Sequence, residues 1–243
     1  MGAQIYVGTS GWHYRHWRDS FYPKDLKTRD WLGFYSKHFK TVELNNSFYR
    51  LPSNSSFESW RDATPHEFRF AVKGSRFTTH MKKLKAPKSS TEQFFKAAKH
   101  LRTKLGPILF QLPPHWHVDV TRLDEFLSAV PKRNHYVVEF RDETWYTDEV
   151  FQTLKSHNTA LCIHDLAGKQ TPIEITADFT YLRFHGPTAA RYSGSYPDAK
   201  LEKWAERINR WRRSLKGVYA YFNNDVGGMA PRNALKLKDL LNA

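Results

Sequence analysis

The chain has 243 residues, 40% of them hydrophobic and 15% aromatic, with one cysteine and a formal net charge of +14. This content excludes a disordered or fibrous chain. The lone Cys162 excludes an internal disulfide and, inside ALCIHD, reads as a small buried apolar residue. No apolar stretch approaches the roughly 18 residues of a membrane span, and no charged, apolar leader opens the sequence. With no Gly/Ser/Pro-rich linker and no internal repeat, the expectation is one soluble, cytoplasmic domain over 1–243.

Along the chain, eight short β-branched or aromatic runs each end in polar and aromatic residues. They are IYVGTSGW (5–12), TVELNNSFYR (41–50), FRFAVKGSR (68–76), ILFQLPP (108–114), YVVEFRDETW (136–145), ALCIHD (160–165), FTYLRFHGP (179–187) and VYAYFNND (218–225). Continuous runs of this kind are buried parallel strands. Most intervals between them carry helical spacing, as in Trp31, Leu32, Tyr35 and Phe39. The pattern recurs in Phe94, Phe95, Ala98, Leu101 and Leu105, in Leu123, Phe126, Leu127 and Val130, and in Leu201, Trp204, Ala205, Ile208, Trp211 and Leu215. Gly106-Pro107 marks a stop before the fourth strand, and Pro231 suits the first turn of the last helix. The interval 166–178 carries Pro172 among β-branched residues and is a poor helix. Eight strands alternating with helices predict an α/β chain folded as a single (β/α)₈ TIM barrel without a regular sixth helix, its site built from the C-terminal strand ends.

The charge is uneven: residues 61–104 hold 12 Lys/Arg against 3 Asp/Glu, a net of +9. The excess centres on KGSRFTTHMKKLKAPK (73–88), where Lys82, Lys83 and Lys85 are either a solvated loop or a contact for phosphate backbones.

Glu43 and Glu139 lie inside strands, where a charge needs a partner or a function. Arg141 shares a strand face with Glu139, so the pair is either structural or an acid/base site with a tuned pKa. His164-Asp165, Arg183 and His185, and Asn223, Asn224 and Asp225 end the last three runs and, with the glutamates, are possible ligands for a divalent metal, although the spacing carries no short metal motif. Only one of His164 and Asp165 is expected to face the centre, whereas Arg183 and His185 share a face. Lys73, Gln111 and Arg183 suit an anionic or hydroxyl-rich ligand, and the backbone at Thr9-Ser10, between Gly8 and Gly11, suits a phosphate or carboxylate. Trp12, Phe48, Tyr49, Trp145 and Tyr192 are placed to stack on a ring or to pack. No GxSxG, P-loop, GxGxxG or HExxH is present, which removes the usual anchors of serine nucleophiles, NTP hydrolysis and dinucleotide binding.

The strings VGTSGWHYRHWRDSFYP, FKTVELNNSFYRLP, TPHEFRFAVKGSRFTTH, LGPILFQLPP, VVEFRDETW, RFHGP and YFNNDVGGMAPRNALKLK resemble, in order and spacing, the YecE-like family, catalogued as a domain of unknown function. The resemblance spans nearly the whole chain. It implies a TIM barrel and marks Ser10, Gly11, Trp12, Glu43, Asn45, Phe48, Lys73, Gln111, Glu139, Arg141, Trp145, His185, Asn223, Asn224 and Asp225 as family positions; it does not imply an activity. The residues themselves lead to an enzyme acting on a small phosphorylated or polyhydroxylated, sugar-like substrate as an isomerase or hydrolase. Glu139 and Glu43 would be its acid/base carboxylates, His185 a proton shuttle, and no cofactor beyond a possible divalent metal is expected. The alternative is a nucleic-acid-binding protein or a metal-dependent barrel endonuclease.

Overall fold

A computed structural model of the chain describes residues 2–166, 168–190 and 192–243. Eight parallel strands form the barrel: β1 (Gln4–Thr9), β2 (Thr41–Leu44), β3 (Arg69–Lys73), β4 (Leu105–Gln111), β5 (Tyr136–Glu139), β6 (Ala160–Leu166), β8 (Phe179–Phe184) and β9 (Gly217–Phe222). They pair in the order β1-β9-β8-β6-β5-β4-β3-β2. The two-residue β7 (Lys169–Gln170) folds back antiparallel onto β6, and no regular helix joins β6 to β8 among the described residues. Outside lie α1 (Trp31–His38), α2 (Asn46–Tyr49), α3 (Asn54–Asp62), α4 (Pro87–Ala98), α5 (Val120–Ala129), α6 (Asp148–Ser156), α7 (Asp198–Trp211) and α8 (Met229–Leu241). Among the described residues no helix is long and apolar enough to cross a membrane.

Two details differ from the sequence pattern. Leu105, read as a helical position, begins β4, because Arg102 takes a φ of 53° and breaks the helical path before it. Gly106-Pro107 lies inside β4 rather than ahead of it. Pro107 has no N–H for a ladder, and it sits where the β3–β4 register shifts between Phe70 and Val72.

Strand alternation sorts the core into two bodies. One face of each strand packs on the helices; the other fills the barrel with Tyr6, Ala71, Leu109, Val137, Ala160, Cys162, Phe179, Tyr181, Tyr219 and Tyr221. Tyr6 stacks on Tyr219 with ring centroids 4.8 Å apart, and the Tyr221 hydroxyl lies 2.6 Å from Thr41 Oγ1 across the interior. The barrel closes between β1 and β2 through a parallel bridge at Ser10 and Glu43, with the Gly11 N–H donating to the Glu43 carbonyl at 2.8 Å. Below that bridge the buried hydroxyl of Tyr35, reaching in from α1, replaces ladder bonds. It accepts from the Thr9 N–H and donates to the Thr41 carbonyl, each at 3.0 Å. Gly8 makes room for this seam, since a Cβ there would lie 2.3 Å from the Thr41 carbonyl oxygen.

Tyr35→Phe leaves both of those buried backbone groups unpaired. It should therefore cost about 1–3 kcal/mol, read as a lower urea midpoint at unchanged slope; an unaltered midpoint would show that the seam does not depend on the hydroxyl.

Candidate functional site

Directly above the apolar filling, three strands deliver charge to the barrel axis. Arg183, on β8, donates from Nη1 to Glu139 Oε2 of β5 at 2.7 Å and from Nη2 to Glu43 Oε1 of β2 at 2.8 Å. Both carboxylates are fully buried and the guanidinium is 2% exposed. Glu43 is further held by Ser10 Oγ at 2.7 Å, Asn45 Nδ2 at 3.0 Å and the Tyr181 hydroxyl at 2.6 Å. Glu139 also pairs with Arg141, two residues along the chain.

The electrostatics follow from this cage. Burial opposes a charge on Glu43, but Arg183 and the hydroxyls of Ser10 and Tyr181 outweigh it and hold the carboxyl below its ordinary range. Burial likewise opposes a charge on Glu139, and Arg141 and Arg183 overcome it further, so Glu139 sits well below the usual carboxylate value. Burial pushes His164 down to about 4. Burial and the neighbouring Arg183 push His185 well below its normal value. Both imidazoles are thus neutral. His185 faces Arg141 Nη2 from Nε2 at 3.3 Å and the Asn223 amide from Nδ1 at 3.0 Å. The guanidinium and the Asn223 Nδ2 amide group can only donate, and a neutral imidazole has a single acceptor nitrogen, so the ring accepts from one of these two partners and not from both.

Lys73, at the end of β3, is 8% exposed. Its Nζ donates to Gln111 Oε1 at 2.6 Å and lies 4.1 Å from the Phe48 ring centroid. Burial and the nearby Arg183 lower its pKa to about 8, against the pull of Glu139 and Glu43.

The chain therefore brings together Ser10, Glu43, Asn45, Phe48, Lys73, Gln111, Glu139, Arg141, Arg183, His185 and Asn223. Glu43 and Glu139 are sealed beneath the mouth rather than presented at its rim. Trp12 stands to one side, in a cleft of about 410 Å³ whose walls include Trp60, Tyr14 and Asn45. Other positions go elsewhere. Trp145 is fully buried, stacked on Phe140 with its indole N–H donating to the Trp116 carbonyl at 2.6 Å. Asn224 faces outward and ties to the Gly194 carbonyl and Asn233, each at 2.8 Å. Asp225 accepts from the Trp17 indole at 2.6 Å and lies 3.0 Å from His16. Of the adjacent pair, His164 faces the centre, while Asp165 pairs with Lys200 at 3.1 Å and accepts from the Tyr196 hydroxyl. Lys82, Lys83 and Lys85 are exposed on the loop after β3. Sequence reading missed Tyr181 and Trp60. Tyr181 lies two residues before Arg183, so strand alternation marks it; Trp60, on α3, has no such signal.

Residues 6–243 match the family profile described as "Protein of unknown function DUF72". The chain belongs to the DUF72 family. It is 29% identical to the UPF0759 protein YunF of Bacillus subtilis (strain 168), covering 98% of this chain and 94% of that one. It is 28% identical to the UPF0759 protein YecE of Escherichia coli (strain K12) over 62% of this chain and 53% of that protein. A crystal structure of a DUF72 family protein from Thermotoga maritima MSB8 superposes with a TM-score of 0.89 at 31% identity, covering 99% of this chain and 100% of that one. A methyltransferase from Methanosarcina mazei, at 11% identity and a TM-score of 0.57, shares the fold alone.

In this DUF72 chain one trio of ligand-type side chains, Glu139, Cys162 and His164, has donor atoms within 4.8 Å of one another among the described residues. The trio fits a divalent cation poorly. Glu139 is already shared by two guanidinium groups, and burial, with Glu139 alongside, keeps the Cys162 thiol protonated.

Glu139→Gln removes the charge that two buried guanidinium groups share. It should cost about 3–5 kcal/mol, as breaking a buried pair does, measured by chemical denaturation; stability at or above that of the unsubstituted protein would retire Glu139 as a structural anchor.

Proposed function

We propose that this protein is an enzyme that takes a small anionic, hydroxyl-bearing substrate, of the phosphorylated sugar-like kind, into the C-terminal mouth of its barrel for isomerisation or hydrolysis. The charge balance at the mouth carries this reading. Lys73, Arg141 and Arg183 face two ionised carboxylates while His164 and His185 stay neutral, so one positive charge is left over in a largely buried setting. Arg141 also keeps its Nε–H without a partner. Gln111, Asn223 and His185 supply neutral hydrogen-bonding groups around these cations, which suits hydroxyls beside an anionic group. Glu139, held ionised, has no proton to donate near neutrality; its part in proton transfer is to accept one. His185, kept neutral beside Arg141, is the second acceptor.

Sulfate is a suitable probe because its own charge does not change near neutral pH. At about ten times its Kd it should raise the unfolding free energy by about 1.4 kcal/mol and Tm by roughly 3–6 °C. The affinity should fall as pH rises past about 8, where Lys73 loses its charge. Lys73→Met should weaken binding and remove that pH dependence. No stabilisation by sulfate, phosphate or sugar phosphates would overturn the reading.

A second reading rests on the loop after β3. Lys82, Lys83 and Lys85 are exposed there beside Phe77 and Met81, themselves 42% and 69% exposed, a mixture suited to the backbone and bases of a single-stranded nucleic acid. Binding to an oligonucleotide should then weaken steeply with salt. Replacing the three lysines by alanine should flatten the log–log slope by roughly 2. Absence of binding in low salt would leave the segment as a solvated loop.

A further inference from the structure

We propose that Lys73 is a nucleophilic amine, and that the barrel mouth forms an imine between its Nζ and the carbonyl carbon of a small aldehyde or ketone bearing an anionic group. This rests on the anion-binding reading above for the substrate's second point of attachment, and adds the bond that is made.

The chain has a built-in comparison in its two most buried lysines, Lys73 and Lys104, each 8% exposed. Lys104 is a satisfied ammonium: its Nζ donates to the Arg61 carbonyl at 2.5 Å, the Thr64 carbonyl at 2.6 Å and Thr64 Oγ1 at 3.2 Å, one acceptor for each proton. Lys73 has one acceptor, Gln111 Oε1, and an aromatic face. Among the described residues no carboxylate lies within ion-pair distance of its Nζ, although Glu43 and Glu139 stand in the same layer, because both are taken up by guanidinium groups. A lysine placed only to hold an anion is served by a full, constant charge. Here the surroundings work the other way: a dry site and neighbouring cations favour the neutral amine, the means by which amine nucleophiles are activated. With a pKa near 8, the neutral fraction at pH 7 is roughly 300 times that of an ordinary lysine.

The position is also held. Ser47 Oγ donates to the Lys73 carbonyl at 2.6 Å, fixing the strand end, and Phe48, on the same short helix α2, carries the side chain across its ring. One amine hydrogen given to Gln111 leaves the other hydrogen and the lone pair free. In the step itself the lone pair forms a C–N bond as the carbonyl π bond breaks onto oxygen. Both amine hydrogens then leave with that oxygen as water, and the C=N bond remains. No oxidant or reductant is needed.

The test uses the full chain with glycolaldehyde phosphate, an anionic aldehyde, followed by sodium borohydride, which delivers hydride to any imine carbon and makes the adduct permanent. Intact mass and peptide mapping should show one adduct per chain at pH 7, at Lys73, with at least tenfold higher occupancy than at any exposed lysine and with loss of that adduct in excess sulfate. Lys73→Arg, which keeps the charge but not the nucleophile, should lose the adduct and still be stabilised by sulfate. Adducts spread over exposed lysines with Lys73 unmodified would overturn the proposal, and the mapping of the unsubstituted protein decides this even if the variant fails to fold. Stabilisation by sulfate without an adduct at Lys73 would overturn the imine alone; loss of both would overturn the anion site with it.

Discussion

Everything at the mouth of this barrel depends on one guanidinium. Arg183 bridges Glu43 and Glu139, so two buried carboxylates that would otherwise repel across the barrel interior share a cation instead. The three residues come from β2, β5 and β8, and none of the contacts forms until those strands lie in one closed sheet. Desolvation makes each charge costly alone; the shared geometry makes the set tolerable. The bridge also sets the protonation of its neighbours. It keeps both glutamates ionised, helps keep His185 neutral and adds to the burial that lowers Lys73.

Strand alternation turns the barrel into layers of rising polarity. On β8 the inward side chains run Phe179, Tyr181, Arg183 and His185, from apolar packing through a buried phenol to the bridging cation and then the mouth. On β5 they run Val137, Glu139 and Arg141, on β6 Ala160, Cys162 and His164, and on β9 Tyr219, Tyr221 and Asn223. Each strand thus contributes an apolar residue to the filling and a polar one to the mouth, in step with its neighbours because the register is parallel. The tyrosines are the transition: their rings fill the interior while the hydroxyls of Tyr181 and Tyr221 reach Glu43 and Thr41.

That layering explains which site positions were legible. Periodicity puts Arg141 on the face of Glu139 and His185 on that of Arg183, and it sets His164 and Asp165 on opposite faces without telling which of them turns inward. Residues beyond the strand ends escape the rule. Trp145 and Asp225 sit in turns, where nothing in the local pattern tells packing from exposure, and both are held by hydrogen bonds to distant segments. Asn224 falls on the outward parity and ties down the 188–200 link by way of Gly194. Trp60 reaches the cleft beside Trp12 only because α3 packs there.

The sequence by itself determined the eight strands, the helices between most of them, the missing sixth helix and the candidate charges, because burial imposes a period of two or 3.6 on any chain that folds this way. It also carried the family, through long strings in fixed order. Only the tertiary structure decided how those charges are paired. Glu43 and Arg183 lie 140 residues apart, and Glu139 and Arg183 lie 44 apart. The field at the mouth is a property of distances across the barrel, which no local pattern encodes. For the same reason two lysines with equal exposure have different surroundings: Lys104 meets three oxygens of Arg61 and Thr64, 43 and 40 positions back along the chain, while Lys73 meets one amide and an aromatic ring, with Arg183 nearby.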